Sequence, residues 1–195
     1  MTARILRAQN KVLVVGCMYD QLNKFDIIKK ILNNYQFIII NGNILYPETN
    51  IEERINLIDE LLETGKVVYN NGNYDLLLLK NEKYFNWLDK NPNIVIIQYP
   101  QTTFVITSGG VSPEMNKEML LDNIETSFIS LIKEKSWHLS YGGGYGYIIS
   151  NNPLTENPPE FYNFSAQIGN KYNGAQTKVY AQEIDQFGLK KTILL

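Results

Sequence analysis

Three times between Lys11 and Lys90 the chain repeats one pattern: a short apolar run, a turn of Gly and Asn, then apolar residues at helical spacing. The runs are Lys11–Val15, Phe37–Ile40 and Lys66–Tyr69. They are closed by Gly16, by Asn41-Gly42-Asn43 and by Asn70-Asn71-Gly72-Asn73. The first helical segment, Gln21–Asn34, places Phe25, Ile28, Ile31 and Leu32 on one face. The second, Ile51–Glu63, does so with Ile55, Leu57, Ile58, Leu61 and Leu62 and stops at Gly65. The third is expected to start with Asp75 as its cap and to run to about Lys90. Strands that alternate with helices in this way pair in parallel, joined by crossovers.

After Lys90 the rhythm changes. Ile94–Gln98 and Thr103–Thr107 are separated only by a short turn at Tyr99-Pro100, which predicts antiparallel neighbours. Ser112-Pro113 opens a long helix to about Lys135, with the hydroxyl at the cap and Pro in the first turn. Tyr147–Ser150, Phe164–Ile168, Lys178–Ile184 and Lys191–Leu195 read as strands, the last two joined at Gln186-Phe187-Gly188. A parallel half followed by a strand-rich half predicts an α/β fold of two stacked mixed sheets flanked by helices. We expect one domain over 1–195, with 1–10 as an N-terminal extension.

Composition narrows the setting. A chain of 195 residues, 44% hydrophobic and 12% aromatic, can bury a core without disulfides. Its net charge of −2 comes from mixed signs without a Lys/Arg block, so no nucleic-acid footprint is visible. No apolar run reaches bilayer-spanning length, and Met1–Asn10 lacks the apolar run of a signal peptide. One cysteine excludes an internal disulfide and suits a reducing compartment. The expected location is therefore the cytoplasm or a particle assembled there. The wealth of Asn, Ile, Lys and Tyr matches AT-rich codons, as in many phage and viral genomes.

In open α/β folds ligands sit beyond the carboxyl ends of the strands. The turns there read Gly16-Cys17-Met18-Tyr19-Asp20, Asn41-Gly42-Asn43, Asn71-Gly72-Asn73-Tyr74-Asp75, Thr107-Ser108-Gly109-Gly110 and Asn151-Asn152-Pro153. In order and spacing they resemble the motif loops of the calcineurin-like metallophosphoesterases, closest to the serine/threonine phosphatase and diadenosine-tetraphosphatase branch. The resemblance runs from about Lys11 to Leu195, and no single motif is intact. It implies that Cys17 stands where the family has its first metal-binding Asp, and Tyr19 where it has the first metal-binding His. Asn43 replaces the Asp that bridges both metals. Asn73 retains the Asn that ligates the second metal, and Tyr74 replaces the His that protonates the leaving group. Asp75 retains the acid that orients that His. Ser108 and Asn152 fall at the two later metal-binding His positions, and Pro47 and Asn71 at the substrate-gripping Arg positions.

These substitutions remove the chemistry that two metals need. A bridging carboxylate offsets the repulsion between two dications a few Å apart, and an amide does not. A tyrosine must lose a proton with a pKa near ~10 to serve as an anion. Serine is a poor ligand for a divalent transition metal. Other readings of the same residues are weaker. A cysteine phosphatase built on Cys17 would need an Arg where Asn23 stands, and His138 is the one histidine available to pair with the thiol. Gly142-Gly143-Gly144 has no basic residue beside it to make an anion nest. Neither a phosphate-loop motif nor zinc-type Cys/His spacing is present. The expected function is a catalytically inactive pseudo-phosphatase: a protein-binding or assembly module without cofactor or metal, encoded by a phage or virus. On this reading it binds no nucleic acid and no membrane, and a small phosphorylated ligand would bind without turnover. The alternative is a phosphoesterase or nucleotide hydrolase with unusual metal ligation through Cys17, Asn73 and Asp75.

Overall fold

The computed structural model describes residues 3–16, 18, 21–45, 49–72, 75–107, 146–150, 161–163 and 179–195. The helix expected over 112–135, the strand over 164–168 and the glycine loop at 142–144 lie outside the described residues.

Two five-stranded sheets carry the fold. In one, β2 (Val12–Val15), β3 (Phe37–Ile40) and β4 (Val67–Tyr69) run parallel, as the repeat predicts. The hairpin of β9 (Tyr180–Asp185) and β10 (Gly188–Leu194) completes it, with β9 antiparallel to β2. The strand order is β10-β9-β2-β3-β4. The second sheet contains β5 (Ile94–Gln98) and β6 (Thr103–Thr107), which pair antiparallel as expected. It continues through β7 (Gly146–Ser150) and β8 (Phe161–Asn163), both parallel to β6. Its outer strand is β1 (Ala3–Arg7), parallel to β5. The opening segment read as an extension is thus part of a sheet.

Period-two alternation places the core on both faces of the first sheet. Val12, Val14, Ile39, Val68 and Ile184 face Val95, Ile97, Phe104 and Ile106 of the second sheet. Leu13, Val15, Ile38, Ile40, Val67 and Tyr69 point the other way, into a cluster with helix residues. Strands buried on both faces read as unbroken apolar runs, which is why β2 and β3 have no polar alternation.

Among the described residues, three helices cover that outer face. α1 (Lys24–Ile31) buries Phe25 and Ile28. α2 (Ile51–Leu62) is capped by Asn50, whose side chain accepts from Glu53 N, and buries Arg54, Ile55, Ile58 and Leu61. The single helix expected over 75–90 is two pieces: a 3-10 segment, Asp75–Lys80, then α3 (Glu82–Lys90). The break comes at Asn81, whose side chain accepts from Lys83 N at 3.1 Å and starts the new helix. α3 docks on α2 through Trp87 Nε1, which donates to Asp59 at 2.8 Å, and through a 2.6 Å ion pair of Lys83 with Glu52. Among the described residues no helix is long and apolar enough to cross a membrane.

Candidate functional site

The parallel ladder of the first sheet continues one residue past its strands. Asn41 N donates to Val15 O and Asn70 N to Ile40 O, both at 2.9 Å. This brings the loops after β2, β3 and β4 to one end of the sheet. The second sheet reaches the same place, because Asn41 Nδ2 donates to Thr107 O, at the end of β6, at 3.1 Å. Asn70 Nδ2 donates in turn to Asn41 Oδ1 at 2.7 Å. Asn41 and Asn70 are buried. These amides therefore lock the two sheets together beneath the loops, where an apolar side chain would leave Thr107 O without this donor.

Above that lock the loops after β3 and β4 touch backbone to backbone. Gly42 has φ 67°, and a Cβ there would stand 2.5 Å from Gly72 Cα and N. A Cβ on Gly72 would collide with the backbone nitrogen and side chain of Asn43. Asn43 itself has φ 61°, a left-handed conformation that Asn tolerates better than most residues.

Asp75 staples this junction. Its Oδ1 accepts from Ile44 N at 3.1 Å and Leu45 N at 2.8 Å. Its Oδ2 accepts from Asn43 N at 3.1 Å, Gly72 N at 2.6 Å and the Tyr69 hydroxyl at 2.7 Å. The carboxyl is fully buried, and that burial pushes its pKa up; the hydrogen bonds from Tyr69, Gly72, Leu45 and Asn43 oppose the push. The expected helix cap is thus a cross-loop brace: the side chain turns back to the strand ends, and five donors take up its two oxygens. The carbonyl side of the same loop is held from α2, where buried Arg54 donates Nη1 to Ile44 O at 2.8 Å.

Asn71, at an implied substrate-gripping position, is also turned inward. Its Nδ2 shares two N–H among three acceptors within reach, Leu88 O (2.8 Å), Asn91 O (2.9 Å) and Asn93 Oδ1 (3.0 Å), and its backbone N donates to Pro92 O (2.7 Å). It ties the β4 loop to the connection between α3 and β5. Of the other implied positions, Asn43 is described and buried at the loop junction. Cys17, Tyr19, Pro47, Asn73, Tyr74, Ser108 and Asn152 lie outside the described residues, as does His138.

Comparison with known proteins adds one kind of likeness. No protein-family model matches the chain, and no curated protein matches it in sequence. Solved structures do match in shape. A protein assigned as a diadenosine tetraphosphatase superposes with a TM-score of 0.60 at 12% identity, over 99% of this chain and 97% of that one. A serine/threonine phosphatase from Saccharomyces cerevisiae gives 0.58 at 12% identity, over 99% and 82%. Yfce, a phosphoesterase from E. coli, gives 0.50 at 11%, over 94% and 98%. The chain has the calcineurin-like metallophosphoesterase fold.

That fold implies a pair of metal ions at the strand ends, and the described residues there do not offer the anionic ligands that two metals need. The position that the resemblance gives to the bridging Asp carries the neutral amide of Asn43, packed against Gly72. The one described carboxylate of these loops, Asp75, has both oxygens taken by donors that belong to the loops themselves. The remaining implied positions supply a thiol, a phenol, a hydroxyl and further amides. Among the described residues no three His, Cys, Asp or Glu side chains gather as a metal site would require. The braces Tyr69 and Arg54 were missed in the sequence. Arg54 carried a signal: it lies one residue before Ile55 and four before Ile58, on the apolar stripe of α2.

Proposed function

We propose that the chain is a pseudo-phosphatase: a metallophosphoesterase fold kept as a protein-binding or assembly module and no longer used for two-metal hydrolysis. The observation that supports this most directly is the state of Asp75 and Asn43. The position that the resemblance gives to the bridging Asp is the neutral amide of Asn43, and Asp75, which the resemblance makes a His-orienting acid, is held by Asn43 N, Ile44 N, Leu45 N, Gly72 N and Tyr69 and offers no free oxygen as a substitute ligand. The turn is built as a rigid structural joint. Its inward Asn71 removes one of the two implied phosphate anchors, and Pro47 in the sequence removes the other. The codon-linked composition favours a phage or viral particle, or the cytoplasm in which it assembles, as the setting. A small phosphorylated ligand that binds without turnover is compatible with this reading.

The test is turnover. The purified chain is assayed in Mn²⁺ against p-nitrophenyl phosphate, its diester and diadenosine tetraphosphate. The reading expects rates equal to buffer alone, and equal for Asn43→Ala. Hydrolysis that Asn43→Ala abolishes would instead establish the rival, a phosphoesterase with unusual ligation.

A further inference from the structure

The first sheet also carries a pocket at its other end. Lys11, Gln36 and Lys66 immediately precede β2, β3 and β4, so they mark the amino ends of the parallel strands. A four-residue strand at about 3.3 Å per residue puts roughly 13 Å of sheet between this end and the Asp75 joint. The pocket holds about 580 Å³ and opens to solvent. That volume lies within the range of small-ligand sites, roughly 300–1,000 Å³.

Its shape is fixed without a ligand. Gln36 Oε1 accepts from Gln9 N at 2.8 Å and Asn10 N at 2.9 Å, which pins one wall. Tyr35 is buried and donates its hydroxyl to Glu183 at 3.2 Å. On the rim, the side-chain amides of Gln9, Asn10, Asn34 and Gln186 make no hydrogen bond to any described residue. Each offers one acceptor and two donors. Phe187, in the turn between β9 and β10, lines the same pocket and is 69% exposed, with Lys190 Nζ 5.1 Å from its ring centre.

Most of the charges around the pocket are paired. Lys11 pairs with Glu183 at 3.0 Å, Asp185 with Lys190 at 3.3 Å, and Lys66 donates to Asn33 Oδ1 at 3.2 Å. Lys66, held by a neutral amide, keeps its charge, but one ammonium is not the cluster of cations that holds a phosphate. An extended peptide would lack a strand edge to pair with, because the pocket sits across strand ends. Tyr35 and Phe187 are the only described lining residues that are neither charged nor amides, so no continuous apolar wall is offered to a lipid. What fits is a neutral molecule with many hydroxyls and one apolar face.

We infer that this pocket is a saccharide-binding site for one or two sugar units. Each sugar hydroxyl both donates and accepts, which the free amides of Gln9, Asn10, Asn34 and Gln186 match. The C–H face of a pyranose ring stacks on Phe187. The pocket shares no residue with the Asp75 joint, so this site stands whether or not the chain turns over phosphoesters.

The test is an NMR titration of the full chain with glucose, galactose, mannose, N-acetylglucosamine, maltose, cellobiose and chitobiose. At least one sugar is expected to shift the backbone amides of Gln36, Lys66, Gln186 and Phe187 in a saturable way, in the millimolar range. Phe187→Ala, at an exposed turn position that the fold does not need, is expected to weaken binding about tenfold. Silence of these amides towards every sugar up to about 100 mM would overturn the inference. So would shifts there with inorganic phosphate or tetra-alanine but with none of the sugars.

Discussion

Replacing Asp75 by Asn keeps the size and shape of the side chain and removes one acceptor oxygen. In the native joint Oδ1 takes two backbone N–H groups and Oδ2 takes two more plus the Tyr69 hydroxyl. Whichever oxygen becomes NH₂, two backbone donors lose their acceptor in a fully buried place. Tyr69 can turn its hydroxyl to accept, but a backbone N–H cannot. An orphaned buried donor costs about 1–3 kcal/mol, so Asp75→Asn is expected to lose roughly 2–6 kcal/mol. Tyr69→Phe, which removes one donor and leaves both oxygens accepting, is expected to cost about 0.5–1.5 kcal/mol. The two should couple in a double-mutant cycle, because they share Oδ2. Urea unfolding followed by far-UV circular dichroism and tryptophan fluorescence measures both. At about 1–3 kcal/mol/M or somewhat more for a chain of this size, the Asp75→Asn midpoint should fall by roughly 1 M or more. A loss below about 1 kcal/mol for Asp75→Asn would refute the reasoning, because it would mean that the four N–H groups do not depend on the carboxylate.

Three more perturbations probe neighbouring claims. Gly72→Ala drives a methyl into the backbone and side chain of Asn43 and should cost about 1–3 kcal/mol in the same unfolding assay. Arg54→Met keeps the stem packed but leaves Ile44 O without its Nη1 donor; a loss of about 1–3 kcal/mol is expected, with the β3 loop exchanging its amide hydrogens faster. Burial, with Glu183 beside it, raises the Tyr35 hydroxyl from 10.0 to about 12. A raised folded-state value means that its contribution is fully present below pH 10.0 and is lost as the pH climbs through about 12. Tyr35→Phe should therefore lose less stability than the parent over that alkaline window, as read from unfolding midpoints against pH.

Most of the architecture was legible because it rests on local pattern. The parallel trio β2, β3 and β4 announces itself by uniform apolar runs that stop at Gly and Asn, and the antiparallel pair β5–β6 by its short turn. β1 was not legible. Of Ala3–Arg7 only Leu6 is buried, Ile5 is 48% exposed, and what makes the segment a strand is pairing with residues some ninety positions away. The split at Asn81 was written in a cap residue followed by Glu82, but the apolar run Leu76–Leu79 masked it. At the candidate site the residue types were readable and their directions were not. Asp75 looked like a helix cap because its partners, Asn43 to Leu45, lie some thirty residues earlier, and only folding brings them within 3.1 Å. Asn71 stands at an implied anchor position, and it is a buried strut.

On the proposed function, this metallophosphoesterase fold has no two-metal centre left to load. Calorimetric titration of the purified, chelator-treated chain with Mn²⁺ tests that claim most directly. No saturable binding tighter than about 1 mM is expected, whether or not Asn43 is replaced by Ala. Two equivalents bound per chain in the micromolar range, and lost in Asn43→Ala, would contradict it.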